Sequence, residues 1–167
     1  MPTYRYIGVD PGKDGGVAWI DETDRGPFVQ AHRMPPTPRD IALLMNKAMN
    51  GVNADCAFLL IEKVSAMPKQ GVSSTFKFGF NAGLLTGLIV TLTVAYEEVR
   101  PTKWQAPFSL MKGKDVTSVQ KKNSHKRRAQ DLFPAIAKIT HMTADALLIA
   151  EYCRRYRKGI LQTPPNT

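Results

Sequence analysis

The chain predicts an α/β fold, a mixed five-stranded sheet with helices on both faces. Three features predict it. The first 33 residues alternate short apolar runs with Pro, Gly, Asp and Thr turns, as an antiparallel meander does. "CAFLLIE" at 56–62 is apolar on both sides, as a central strand must be when helices cover it, and segments of helical spacing stand before and after it. A length of 167 residues with 43% apolar composition suits one buried core and one domain.

Residues 4–10, 16–21 and 28–33 read as the three strands of the meander. After "MPPTPRD", Thr37 supplies a capping oxygen, Pro38 fits the first helical position and Asp40 complements the helix N-terminus, so a helix is expected over 38–49. Its apolar residues Ile41, Leu44, Met45 and Ala48 fall at helical spacing. The strand at 56–62 follows, then a helix from about Ser73 in which Gly79, Gly83 and Gly87 would let another backbone approach closely. Phe76, Phe78 and Phe80 cannot share one side of that helix, and one or two of them are expected in the core. A fifth strand is expected at 94–99, and 107–123, with no clear period, reads as a mobile basic loop. Ser124 would cap a helix ending near Phe133, and 141–157 forms the last one. Residues 159–167 are expected to be a flexible tail, leaving a single domain over 1–158.

Composition narrows the function classes. The longest apolar stretch, 84–95, is interrupted by three threonines and a glycine, and no continuous apolar leader opens the chain. A cytoplasmic protein without a membrane partner is expected, with Cys56 and Cys153 as reduced core thiols. The charge is uneven: residues 1–99 carry a net −1 and residues 100–167 a net +10. Localised positive charge favours a polyanion, and nucleic acid is the commonest polyanion for a soluble basic protein; a solubilising surface is the plainer reading.

Two core strands end on acids, Asp10 and Glu62. Desolvating a carboxylate is costly unless a cation meets it. In this order of elements the first and fourth strands lie side by side and parallel, so both acids project from neighbouring strand ends, where ligand crevices form in open sheets. Asp145 shares a helix face with Leu148, Ile149 and Tyr152, and His141 lies one turn before it. Three carboxylates and an imidazole suit one or two hard divalent ions that keep positions open for phosphate and water. Each residue also has an ordinary reading: Asp10 as a turn former, Glu62 as a partner of Lys63 or Lys69, Asp145 as an offset to Arg154 and Arg155, and His141 as a solvated residue.

Taken together, "IGVDPGKDGGVAWI", "LLIEKV", "MPKQGVSSTFKFGFNAGLLTGL", "VRPTKWQ", "KKNSHKRRAQDLFP" and "HMTADALLIAEYCRR" resemble RuvC-type Holliday-junction resolvases, phage and phage-like members most of all. The likeness spans nearly the whole chain in order. It implies an RNase H-like fold with strand order 3-2-1-4-5, in the cytoplasm of a prokaryotic or phage-infected cell. It also implies a homodimer that nicks branched DNA symmetrically, with two Mg²⁺ ions per active site and Mn²⁺ as a substitute. Asp10, Glu62 and Asp145 are similar to the family's metal-binding acids, and His141 matches a position that holds an acid or a histidine. Some bacterial members space that position three residues before the last acid rather than four; Gln105 stands where they often carry lysine, and no aromatic stands near Ser65.

Two further expectations concern charge. Lys122 would neutralise the scissile phosphate, or else be a solvated member of a charge run. Lys121, Lys122, Lys126, Arg127 and Arg128 form the densest basic run, and Lys69, Gln70 and Lys77 follow Glu62 closely enough to line the same cleft as DNA contacts. Two rival readings stand beside this one. "VDPGKDGG" also resembles the phosphate loop of actin-like kinases, but these need two such domains and no nucleotide cofactor is expected here. The same fold also suits a branched-DNA-binding protein without catalysis.

Overall fold

The computed structural model describes residues 4–63 and 71–161. The strands β1 (Tyr4–Asp10), β2 (Gly16–Thr23) and β3 (Gly26–Arg33) form the meander. Helix α1 (Pro38–Met49) then leads to β4 (Ala57–Glu62), α2 (Val72–Thr91) and β5 (Ala95–Val99). Three helices complete the described chain: the short α3 (Pro101–Gln105), α4 (Ser118–Leu132) and α5 (His141–Arg157). The sheet runs β3-β2-β1-β4-β5, with β1 antiparallel to β2 and parallel to β4, so the predicted order and mixed character hold.

Alternation along the central strands divides the core in two. Ile7 and Val9 of β1, with Leu59 and Ile61 of β4, face α1 and α2, where Ile41, Met45, Leu85 and Ile89 meet them. Tyr6 and the opposite residues of β4, Phe58 and Leu60, face α5 and the Trp104 side. Helix α5 is buried nearly all round and lies very close to β1. A Cβ built on Gly8 would stand 2.3 Å from the Ala146 carbonyl oxygen and 2.3 Å from the Ala150 nitrogen, so only glycine admits that approach.

Several boundaries differ from expectation. Helix α4 starts six residues before Ser124, because Thr117 and Gln120 form a capping box in which Thr117 Oγ1 accepts from the Gln120 N–H and Gln120 Oε1 accepts from the Thr117 N–H. The expected basic loop is therefore helix over its last part, and 101–108 holds α3 and a further helical turn, Ala106–Phe108. Phe76 and Phe80 are exposed rather than core. The buried stripe of α2 runs through Leu85 and Ile89, and stepping back along it by seven residues reaches Phe78, which is half-buried, while its two neighbours point elsewhere. Cys56 sits half-buried in the one-turn helix Ala54–Cys56, and Cys153 is fully buried. The tail from Gly159 to Leu161 is tied back by hydrogen bonds to Arg155 and Tyr156; 162–167 lie outside the described residues. Among the described residues, no helix is long and apolar enough to cross a membrane.

Candidate active site

The site follows from the pleat. Val9 pairs with Ile61 across the parallel β1–β4 ladder, and both side chains point toward α1 and α2. Asp10 and Glu62 come one residue later, so both turn to the opposite face, where α5 packs. Sequence alternation alone thus aims two carboxylates from one sheet edge at the N-terminal turns of the helix that carries Asp145.

The Pro-Gly turn after β1 wraps Asp10. Its Oδ1 accepts from the Gly12 N–H at 3.1 Å, and Gly15 N–H donates to the Gly12 carbonyl at 2.9 Å, closing the loop over the carboxylate. A Cβ on Gly15 would fall 2.6 Å from Asp10 Cγ, so the residue must be glycine for the loop to close this tightly. Asp10, Asp145, His141, Lys122 and Phe78 line one cavity of about 430 Å³ with the Gly12–Gly15 turn. His141 Nε2 lies 2.9 Å from Asn123 Oδ1, and its ring is exposed. Glu62 lies beside this cavity rather than in its wall.

Electrostatics tie the acids together. Burial pushes Asp10 up to about 6, with the Asp145 charge adding to the effect and the Gly12 N–H and Lys122 opposing it. Burial also pushes Glu62 up to about 7, helped by the charges of Asp10 and Asp145 and opposed by a hydrogen bond from Trp104. Among the described residues neither Asp10 nor Glu62 has a basic side chain in salt-bridge reach. Such a desolvated, mutually repelling oxygen set suits a hard divalent cation.

The expected cluster is looser than a finished metal centre. Among the described residues, no three His, Cys, Asp or Glu side chains are grouped so that they could hold one ion. Each acid is turned to a donor of its own: Asp10 to Gly12, Glu62 to the Trp104 indole at 2.7 Å, Asp145 to His125 at 2.7 Å.

Trp104 and His125, the partners of Glu62 and Asp145, are not among the residues singled out from the sequence. Trp104 was visible only as part of "VRPTKWQ". His125 becomes visible once the Thr117 capping box is recognised, because it then lies three residues after Lys122 and four before buried Ala129, on the inner face of α4. Among the expected DNA contacts, Lys77, Lys121, Lys122 and Arg127 are exposed and Lys126 is half-buried. Arg128 differs: its Nε is buried and, among the described residues, without a hydrogen-bond partner. Lys69, Gln70 and the neighbourhood of Ser65 lie outside the described residues.

No family model matches the chain, and no curated protein does. Solved structures do. Thermus thermophilus RuvC in complex with Holliday junction substrate matches with a TM-score of 0.60 over 93% of this chain and 96% of that one, at 12% identity. A second Thermus thermophilus RuvC structure matches at the same score and coverage, with 13% identity. The chain has the RuvC fold. This is the RNase H-like arrangement that the motifs implied, with the 3-2-1-4-5 sheet. In the RuvC fold of this chain, Asp10 and Glu62 stand at the carboxyl ends of β1 and β4 on the face that α5 covers, and Asp145 shares the cavity of Asp10.

Proposed function

We propose that the protein is a metal-dependent endonuclease that resolves Holliday junctions, and other branched DNA, by phosphodiester hydrolysis. One observation carries the reading: on a RuvC fold, Asp10 and Asp145 share a cavity with His141 and Lys122, and Glu62 ends the strand beside Asp10. The matched Thermus thermophilus RuvC is titled as a complex with Holliday junction substrate, which supports the choice of a four-way junction.

Asp10, Glu62, Asp145 and His141 would hold Mg²⁺, with Mn²⁺ as a substitute. When bound, a pair of such ions supplies an activated water and neutralises charge on the phosphoryl and leaving oxygens. The side chains of this protein do the rest. The carboxylates fix where the cationic charge sits, and the Gly12–Gly15 turn holds Asp10 from behind. Lys122, exposed at the cavity wall, meets a phosphate oxygen and offsets its charge. His141 faces the same cavity, oriented by Asn123, and serves as a ligand or aligns the attacking water. Lys77, Lys121, Lys126 and Arg127 take flanking phosphates, giving affinity without reading bases; Arg128, Lys69 and Gln70 are proposed as further DNA contacts.

A homodimer would place one such site on each of two strands. Support comes from α2, where Phe76, Phe80 and Val90 are exposed along one stripe with Gly83 and Gly87, and a Cβ on either glycine would meet nothing within 4 Å. An exposed apolar face of this kind is a pairing surface for a second copy. Light scattering of the parent and of Phe80→Glu tests it: a dimer that becomes monomeric is expected.

The activity is tested with purified protein on four-way, three-way, flapped and linear DNA, with Mg²⁺ and with chelator. Paired nicks in the four-way junction that require the metal are expected. Tight junction binding with no nicking in Mg²⁺ would leave the non-catalytic reading.

A further inference from the structure

We propose that Trp104 and His125 form a bridge of two packed rings that positions Glu62 and Asp145, setting the spacing between acids that come from β4 and α5. The inference rests on the nuclease reading above and adds residues to it.

Trp104 is fully buried at the end of α3, and its indole N–H donates to Glu62 Oε2 at 2.7 Å. Indole nitrogen is a donor only, so the bond selects one oxygen of Glu62 and leaves the other for a ligand. His125 stands on α4 with its side chain 11% exposed, and its Nδ1 lies 2.7 Å from Asp145 Oδ1. A carboxylate only accepts, so Nδ1 carries the proton of that bond. The two rings meet edge to face, 5.6 Å between centroids at 78°. The acids are thus joined through one rigid path: Glu62 to indole, indole to imidazole, imidazole to Asp145. Donors behind a ligating carboxylate fix its orientation, and losing one typically weakens metal binding by about 10–100-fold.

The reporter is built in. Trp104 is one of two tryptophans, and the other, Trp19, has a buried Nε1 with no hydrogen-bond partner among the described residues, so Trp19→Phe strands no acceptor among them. In that background, fluorescence reads Trp104 alone. Titration with Mn²⁺ alone, without DNA, is expected to shift Trp104 emission saturably, and Glu62→Gln to abolish the shift. Calorimetry should show Trp104→Phe and His125→Phe weakening Mn²⁺ by about 10-fold or more. His125→Asn, whose amide can donate from nearly the place of Nδ1, should recover most of the loss. Circular dichroism confirms that each variant is folded. Parent-like Mn²⁺ affinity in both ring variants overturns the bridge while leaving the nuclease reading intact. Failure of the parent itself to bind Mn²⁺ or Mg²⁺ overturns both.

Discussion

Glu62 stands beside Asp10 at the end of an adjacent parallel strand, one residue beyond the Val9–Ile61 pair, and the charge of Asp10 helps to drive its proton affinity up. Two acids so placed destabilise the protein that must hold them. The fold accepts this because the same pleat that buries Val9 and Ile61 turns the next residue of each strand toward α5.

That strain has a sign and a pH window. The Glu62 carboxyl is pushed up to about 7 from an ordinary 4.5, and Asp10 up to about 6 from 3.8, so the native protein holds protons that the unfolded chain releases. Their contribution to stability is therefore lost as pH rises through that window. His32, held low by burial, works the other way, so the comparison is made between parent and Glu62→Gln. In metal-free buffer at pH 8, Glu62→Gln should melt about 5 °C above the parent. Near pH 4.5 the advantage should vanish. An equal difference at both values would mean that Glu62 charge is not the cause.

Gly8 tests the packing that carries Asp145 to the sheet. In Gly8→Ala the new methyl meets α5 backbone, which cannot move without shifting the whole helix. A loss of about 3 kcal/mol is expected, lowering the melting temperature by roughly 5–10 °C. A melting temperature like that of the parent would show that α5 stands farther from β1.

The contact with DNA should be chiefly electrostatic. Lys77, Lys121, Lys122 and Arg127 are exposed and Lys126 partly so, and five phosphates neutralised by one subunit give a slope of log affinity against log salt of about −4.5. Filter binding of a four-way junction between 50 and 200 mM salt, roughly the range over which such contacts fade, reads this slope. A flat response would remove the basic half from the interface.

Much of this arrangement was legible in residue order. Asp10 and Glu62 close apolar runs, and the order of elements alone made their strands parallel neighbours. Asp145 was legible because α5 carries its apolar positions at helical spacing. What stayed hidden depends on contacts between elements with little apolar signal. Helix α4 buries only Ala129 fully, so its period is faint and its start lay in the Thr117 cap, which looked like loop. His125 was hidden with it. Trp104 follows a proline in a five-residue helix too short to show periodicity, and only the fold brings its indole to Glu62. Helical spacing barred Phe76, Phe78 and Phe80 from sharing one side but did not say which would turn inward; Phe78 is half-buried and the other two face outward on α2.

Nicking of a four-way junction by Asp10→Asn in Mg²⁺, set beside its binding of the same junction, tests the central claim most directly. The account predicts junction affinity within a few-fold of the parent and nicking reduced by at least about 10³-fold, since the carboxylate that fixes the cationic charge is gone. Cutting at the parental rate would contradict it, and the acids at the β1 and β4 edge would then have no part in the chemistry.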